Sequence, residues 1–152
     1  MKQVPLRAAS RIEGIITHMS DWNDQVIKEF RANEGKVGGP FKGAPLLLIT
    51  TTGAKSGKQY TAPLMYLPDG DKMFIFASKG GAPTNPDWYH NLVAHPQATV
   101  EVGTETINVK ATEVTGEERE RIYAIQAKNF SGFADYQAKT TRKIPVIALE
   151  RA

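Results

Sequence analysis

The sequence contains no cysteine, so it can form neither a disulfide nor a thiolate metal site. Its three histidines, His18, His90 and His95, lack the close spacing of zinc ligands, which argues against a zinc site. No apolar run approaches the about 20 residues that a transmembrane helix requires. The N-terminus has no continuous apolar core, so a signal peptide is not expected. Metal, disulfide and membrane-spanning functions are therefore not expected.

What the chain does have is the composition of an ordinary globular domain. Its 152 residues fit one domain, and 41% apolar with 23% charged residues suffice to bury a core. The formal net charge of +3 is a mild basic bias that favours an anionic partner. It does not indicate nucleic acid, since no platform of interleaved aromatic and basic residues is evident.

A Gly-rich stretch at residues 77–92, ASKGGAPTNPDWYHNL, is the centre of the sequence. It follows an alternating apolar run that predicts a strand, and its glycines and prolines predict a loop, here named the second loop (residues 77–86). Asn85 is expected to cap a helix whose first residue is Pro86. Ser78, Lys79 and free backbone N–H groups would suit a planar, anionic ligand. The alternative is a connecting loop with a solvated lysine.

An earlier turn, GAKSGK at residues 53–58, is named the first loop. It has the composition of a phosphate loop but not the Walker spacing, so it is no NTPase signature. Lys55 could hold an anionic tail by its charge, and Ser56 by its hydroxyl. The alternative is a solvated hairpin turn.

About six strands, mostly antiparallel, are predicted, together with a few helices. Pro63 is expected at an edge, a bulge or a ligand-facing gap, because proline cannot donate to a ladder, and Pro145 indicates that the last strand lies at an edge. Thr115 and Glu118 form a capping-box pattern that predicts a helix running to about residue 129. The fold class is mainly β with flanking helices (α+β), as a small barrel. The predicted strands are residues 44–52, 60–67, 72–77, 98–103, 106–114 and 144–149, and the other helices are residues 87–94 and 133–141.

The N-terminal block, residues 1–31, carries apolar residues at helical spacing. We expect an amphipathic helical segment followed by a barrel domain at residues 32–152, within a single domain overall. The helix would either pack on the core or contact a membrane surface.

Three segments, GKVGGPFKGAPLLLITTTGAKSGK, FASKGGAPTNPDWYHNL and DYQAKTTRKIPVIAL, resemble the deazaflavin-dependent nitroreductase, or F420H2-dependent quinone reductase, family of actinobacteria. The resemblance spans residues 22–149, and it implies a split β-barrel similar to FMN-binding proteins. It also implies coenzyme F420 as cofactor and hydride transfer to quinones, activated enones or nitroaromatics. A cytoplasmic monomer or weak homodimer is implied, with peripheral contact at the inner face of the plasma membrane through the N-terminal helix.

The same resemblance implies the site residues. Ser78 and Tyr136 would be the catalytic donors, and Phe130, Phe133 and Tyr136 would line the acceptor pocket. Trp88 is also a candidate core residue, because tryptophan is more often core than ligand platform. The cofactor-binding positions would be Ala54, Lys55, Ser56, Tyr60, Thr61, Ala62, Pro63, Leu64, Met65, Phe76, Ala77, Ser78, Lys79, Asp87, Trp88, Tyr89, His90 and Asn91.

This chain departs from the family pattern at two positions, since Ala54 and Tyr60 stand where arginine is common. Losing two cations should weaken binding of the cofactor's acidic tail, with Lys58 as partial compensation. Phenylalanine at positions 130 and 133 removes hydroxyls that could orient a nitro group, so quinones or enones are expected to be better acceptors. Two alternatives remain: an FMN-dependent oxidase or reductase of the same barrel class, and a non-catalytic deazaflavin-binding protein.

Overall fold

Six antiparallel strands close into a barrel in the order β1-β2-β3-β6-β5-β4. The computed structural model describes residues 23–38 and 43–152 of the chain. The strand count, the pairing sense and the flanking helices confirm the split-barrel class that the sequence predicts. The strands are β1 (Leu46–Thr52), β2 (Gln59–Asp69), β3 (Lys72–Phe76), β4 (Gln97–Val102), β5 (Glu105–Val114) and β6 (Val146–Arg151).

Four helical segments surround the described part of the barrel. They are α1 (residues 23–32), α2 (Asp87–Ala94), α3 (Gly116–Asn129) and α4 (Gly132–Lys139). The apolar positions predicted before residue 23, and with them most of the expected N-terminal helix, lie outside the described residues. Within those residues, no helix has the length and apolar character needed to cross a membrane.

The barrel interior is a single apolar cluster, because alternate residues of each strand point inward. Leu47 and Ile49 of β1 are fully buried there. The short helix α2 packs onto the same cluster through Trp88 and Leu92, which are 9% and 4% exposed. The expectation that Trp88 belongs to the core is therefore confirmed.

Helices cover two outer faces of the barrel. Val26 and Phe30 of α1 pack on Leu46 and Leu48, the outward residues of β1. Helices α3 and α4 cover β3 and β6, where an aromatic cluster is buried. That cluster contains Phe74, Phe76, Ile122, Tyr123, Phe133, Ile144, Val146 and Ala148.

Strand β2 changes neighbours along its length, and this leaves part of the β2–β3 ladder unpaired within the closed barrel. Its residues 59–65 pair with β1, whereas its pairing with β3 begins only at Tyr66 and Ile75 and runs to Asp69 and Lys72. After Phe76 the chain stays with β6, since the Ala77 N–H donates to the Pro145 carbonyl at 3.0 Å. The first half of β2 and the second loop therefore border an unpaired gap in the ladder, which we name the cleft, and Pro63 lies in that half of β2, where a ladder donor is not needed on the β3 side.

Three local expectations were wrong. Pro145 does not mark a sheet edge, because β6 pairs on both sides and Pro145 precedes it. Helix α2 begins at Asp87 with Pro86 at the N-cap and no side-chain cap, because the Asn85 side chain is bonded elsewhere. Thr115 does occupy the N-cap of α3, but its side chain makes no capping hydrogen bond.

Candidate cofactor site

The first loop is a tight hairpin turn held by its own atoms. The Gly53 N–H donates to the Lys58 carbonyl at 2.6 Å, and the Gly57 N–H donates to the Gly53 carbonyl at 3.1 Å. The Ser56 hydroxyl accepts from the Lys58 N–H and lies 3.1 Å from the Tyr60 hydroxyl. Ser56 is thus already engaged in the turn, so the cations of this loop are its better anion-binding groups.

Lys55 and Lys58 are exposed, and the ammonium group of neither makes a hydrogen bond or ion pair with any residue that the structure describes. Asn91 of α2 fixes the loop from below. Its Oδ1 accepts from the Ala54 N–H at 2.9 Å, and its Nδ2 donates to the Thr51 hydroxyl at 3.1 Å. Asn91 is 8% exposed, so it positions the first loop and its amide has no atom left over for a ligand in this arrangement.

The second loop has an unusual backbone. Lys79, Gly80 and Gly81 have φ values of +47°, +64° and +85° in succession. Ser78, just before them, is right-handed (φ −75°, ψ −41°), and a right-handed residue followed by a left-handed one turns successive N–H groups to one side, which makes an anion-binding concavity. The N–H groups of Ser78, Lys79 and Gly80 donate no hydrogen bond within the described part of the chain. The Lys79 ammonium lies 3.2 Å from the Thr84 hydroxyl.

Arg142 lies beneath the second loop, and sequence reasoning missed it. Its guanidinium donates to the carbonyls of Ala77, Ser78 and Ala82 at 3.1, 2.9 and 2.9 Å, and to Asn85 Oδ1 at 2.6 Å. Arg142 lies in the third segment that resembles the family, DYQAKTTRKIPVIAL, but the spacing of the residues does not indicate which loop its side chain contacts. The Asn85 side chain is hydrogen-bonded to Arg142 and therefore does not cap α2.

The wall of the cleft is the first half of β2. Ala62 and Leu64 pack against the barrel interior, so their backbone is the part that can face a ligand. Met65 packs outward against the clusters under α1 and α4, and Pro63 is buried. The Thr61 hydroxyl lies 2.8 Å from that of Thr50 on β1.

The other predicted α2 residues are spread around the helix. Asp87 and His90 are exposed. The Tyr89 hydroxyl donates to Glu113 Oε1 at 2.7 Å. Burial, aided by that hydrogen bond to a carboxylate, raises the pKa of Tyr89 to about 12. Tyr89 is therefore neutral at physiological pH and tied to β5, away from the first loop.

On the far side of the second loop, α4 carries two of the predicted acceptor residues, Phe133 and Tyr136, and Phe130 lies at the C-cap of α3. Phe133 is 7% exposed and packs edge-to-face on Phe76 at 5.5 Å and on Tyr136 at 5.2 Å between ring centroids. Phe130 and Tyr136 are half-buried. A Cβ on Gly81 would lie 2.8 Å from the Tyr136 carbonyl oxygen, so the second loop and the backbone of Tyr136 are in contact. Phe76 and Ala77 are buried in the two cores and offer a ligand only their backbone.

Two surface depressions lie away from the cleft. One, of about 440 Å³, runs between α3 and α4 beside Tyr123 and Ala134. The other, of about 230 Å³, lies beside the Arg31–Glu101 ion pair at the β4–β5 turn. Neither contains a residue of the first or second loop.

The residues around the cleft fit a deazaflavin with an acidic tail. Unbonded N–H groups of the second loop can donate to ring carbonyls or a phosphate, and a Cβ at Gly80 would meet nothing within 4 Å, so the loop leaves room above it. Lys55, Lys58 and Lys79 supply positive charge. The donor set is therefore suited to a polar, anionic cofactor.

Comparison with known proteins decides the family. A profile of the family described as F420H(2)-dependent quinone reductase matches residues 22–151. The chain belongs to this family. One curated relative, an F420H(2)-dependent quinone reductase of Mycobacterium tuberculosis, is 40% identical over 126 residues, which cover 80% of this chain and 85% of the relative.

Solved structures agree with this placement. An F420-H2 dependent reductase is 43% identical, with a TM-score of 0.65 over 70% of this chain and 94% of its own. A structure described as a domain-swapped dimer is 37% identical, with a TM-score of 0.67 over 89% of this chain and 99% of its own. A haem storage protein from Vibrio cholerae, 17% identical with a TM-score of 0.56, shares the fold alone.

Family membership confirms the class expected from the three sequence segments. The protein is an F420-dependent oxidoreductase with a small-molecule acceptor. The alternatives, an FMN-dependent enzyme and a non-catalytic deazaflavin-binding protein, are not favoured.

Proposed function

We propose that the protein reduces quinones or activated enones in the cleft between β2 and the second loop. The observation that carries this is the loss of β2–β3 pairing before Tyr66, next to a loop whose N–H groups are unbonded. Bound there, reduced F420 supplies a hydride, and the acceptor must also gain a proton.

The residues of this chain would bind and orient the cofactor, and they would exclude water from the site. Lys55 and Lys58 would hold the acidic tail by charge. The backbone of residues 77–79 would contact the ring, and the apolar wall around Met65 would keep water from the reacting face. Ser78 and Tyr136 are the candidate donors to the acceptor oxygen that gains charge. Ser78 belongs to the second loop, and the backbone of Tyr136 meets that loop at Gly81, which supports this assignment.

The acceptor preference follows from the side chains of α4 and of Phe130, which lies two residues before it. Phe130 and Phe133 offer stacking surface without hydroxyls. A flat quinone needs stacking and one donor, whereas a nitro group gains more from additional orienting hydroxyls. Losing one such hydrogen bond costs about 0.5–1.5 kcal/mol, which corresponds to a bias of roughly tenfold at the upper end.

Cofactor choice is tested by fluorescence titration of the purified protein with F420 and with FMN. We expect F420 to bind more tightly, because two cationic loops can serve a long polyanionic tail that FMN lacks. Equal or tighter binding of FMN would contradict the proposed function.

Acceptor choice is tested by steady-state kinetics with reduced F420 on menadione, cyclohexenone and a bicyclic nitroimidazole. Phe130→Tyr is the informative variant, since Phe133 is buried and a hydroxyl there would also disturb the core. We expect the wild type to favour menadione in kcat/KM and Phe130→Tyr to shift the ratio towards the nitroimidazole. Tyr89→Phe, which removes a hydroxyl on the β5 side, is the matched control and should leave the ratio unchanged.

We also propose peripheral membrane contact by the N-terminal segment. The proposal rests on sequence alone, because three basic residues, Lys2, Arg7 and Arg11, and one tryptophan, Trp22, precede residue 23. Co-sedimentation with anionic vesicles, compared between the full chain and a variant lacking residues 1–20, tests it. Equal binding by both proteins would show that residues 1–20 do not mediate membrane contact.

A further inference from the structure

Arg142 holds the second loop from a distant part of the chain. It lies between α4 and β6, yet four of its contacts reach residues 57 to 65 positions earlier. The Nε and both terminal nitrogens are used, so the planar fork of the guanidinium matches the spacing of the three carbonyls and the Asn85 amide. A lysine at this position could supply the positive charge but not the planar set of donors that the guanidinium provides.

These contacts determine which way the loop N–H groups point. In a trans peptide the C=O and the following N–H lie on opposite sides of the bond. Since the carbonyls of Ala77 and Ser78 point at the guanidinium, the N–H groups of Ser78 and Lys79 point away from it. Those are the N–H groups that make no hydrogen bond within the described residues.

The backbone conformation needs such support. Lys79 is a non-glycine residue at φ +47°, a conformation that persists only where the surroundings hold it. One support is the packing of Gly81 against the Tyr136 carbonyl, and the other is the set of bonds from Arg142.

Arg142 is itself held by the Gln137 side-chain amide, whose nitrogen and oxygen are both hydrogen-bonded. Gln137 Nε2 donates to the Arg142 carbonyl at 2.7 Å, while Gln137 Oε1 accepts from Arg119 Nη2 and from the Ile144 N–H. Arg119 is 5% exposed and also donates twice to the Ile144 carbonyl. A continuous polar network therefore joins α3, α4 and the second loop.

No carboxylate pairs with Arg142 in the described part of the chain. Its partners are neutral carbonyl oxygens, so its positive charge remains uncompensated beneath the concavity formed by the loop N–H groups. An anionic or carbonyl-bearing ligand on the other side of the loop would gain from both effects.

We propose that Arg142 is the positioning residue that preorganises the second loop for the cofactor, by aiming the N–H groups of Ser78 and Lys79 at it. The inference rests on the proposed function for the identity of the ligand, but the orienting role can be measured without any ligand.

The ligand-free test is hydrogen–deuterium exchange of the full chain. In Arg142→Lys we expect amide exchange to rise at least tenfold at the hydrogen-bonded N–H groups of the second loop, those of Ala77, Gly81 and Ala82, and to stay unchanged in the first loop. Lys143→Arg, which also exchanges one cation for another at a neighbouring exposed position whose described side-chain partner is Glu120, is the charge-matched control and should leave both loops unchanged. Unchanged exchange of those three N–H groups in Arg142→Lys would overturn the proposal.

The ligand test is titration with F420 at low and high salt. We expect Arg142→Lys and Arg142→Met to weaken binding by tenfold or more, with no rescue by lysine at either salt concentration. The KM for reduced F420 should rise while the KM for menadione stays the same. Wild-type affinity in Arg142→Lys would show that Arg142 acts by charge alone and would overturn the proposal.

Asn85→Ala covers the case in which the Arg142 variants do not fold. It removes one of the four acceptors and leaves the three carbonyl bonds, so we expect about a threefold loss of F420 affinity with an unchanged melting temperature. Unchanged F420 affinity in Asn85→Ala would count against the proposed role of Arg142. If the wild type bound no F420, the proposed function would fail, and the exchange comparison would still decide the role of Arg142.

Discussion

The two cationic loops look alike in sequence but are built differently. The first loop is closed by hydrogen bonds within residues 53–60, and its only described tie to a distant element is the Asn91 amide. The second loop makes short-range bonds too, but its shape depends on Arg142 and on contact between Gly81 and α4. The first loop is a local turn that carries positive charge, whereas the second loop is held in its shape by Arg142 and α4.

The difference assigns different tasks to the loops. Lysines on a local turn are mobile and solvated, so they suit a flexible polyanionic tail whose position need not be exact. A ring that must present one carbon to an acceptor needs donors fixed to within a fraction of an ångström, and the second loop has the supports for that. Substitutions in the second loop should therefore affect structure and binding together, and those in the first loop mainly binding.

The largest effect is expected for Gly81→Ala. An alanine at φ +85° is strained, and its Cβ would lie 2.8 Å from the Tyr136 carbonyl oxygen and 3.0 Å from the Lys139 Cβ. We expect a loss of about 2–4 kcal/mol in the free energy of unfolding, measured in urea. Gly57→Ala in the first loop has a similar φ of +72° but nothing within 4 Å, so it should lose only about 1–2 kcal/mol. Equal losses would show that the α4 contact does not matter.

Asn91→Ala should have the next largest effect, since it cuts the only described tie of the first loop to α2. The buried Thr51 hydroxyl loses its partner and the Ala54 N–H loses its acceptor. We expect a loss of about 1–3 kcal/mol in the free energy of unfolding. Thr51→Val keeps the hydrogen bond to the Ala54 N–H and should therefore cost less stability than Asn91→Ala. The reverse order would show that the Thr51 bond contributes more than the Ala54 bond.

Tyr123→Phe probes the support of the second loop through α4. The Tyr123 hydroxyl donates to the Phe133 carbonyl at 2.6 Å, so its loss should cost about 0.5–1.5 kcal/mol. Burial raises the pKa of Tyr123 from 10.0 to about 12. The neutral form is thus favoured in the folded state, and this contribution is complete below pH 10 and is lost as the pH rises towards 12. Urea unfolding at pH 8, 10 and 11 should show a smaller decline in stability for Tyr123→Phe than for the wild type.

The smallest effect is expected for Lys55→Ala, and it should appear in binding alone. An exposed charge contact contributes at most about 1 kcal/mol, so F420 affinity should fall about two- to fivefold at low ionic strength and less at high ionic strength. The melting temperature of the ligand-free protein should not change. Loss of affinity that is equal at both salt concentrations would mean that Lys55 acts through the shape of the turn and not through its charge.

Much of this fold could be predicted from local pattern. The alternation in residues 106–114 and the apolar run in residues 44–52 identify β5 and β1 within two residues at each end. Helix α2 was predicted at residues 87–94, as observed. These elements depend on neighbours in the chain, whose spacing is visible in the sequence. The capping roles of Asn85 and Thr115 failed because a side chain that can cap can also bond elsewhere or remain in solvent.

By itself the sequence determined the six strands, the two cationic loops and, through three segments, the family and its cofactor. Only the tertiary structure decided how the loops are held. It paired Arg142 with carbonyls up to 65 positions away, committed Asn91 to the first loop and closed β6 into the barrel on both sides. The physical reason is that strand and turn formation depend on residues a few positions apart. The partner of a buried amide or guanidinium, in contrast, is whichever polar group the folded chain brings within about 3 Å of it.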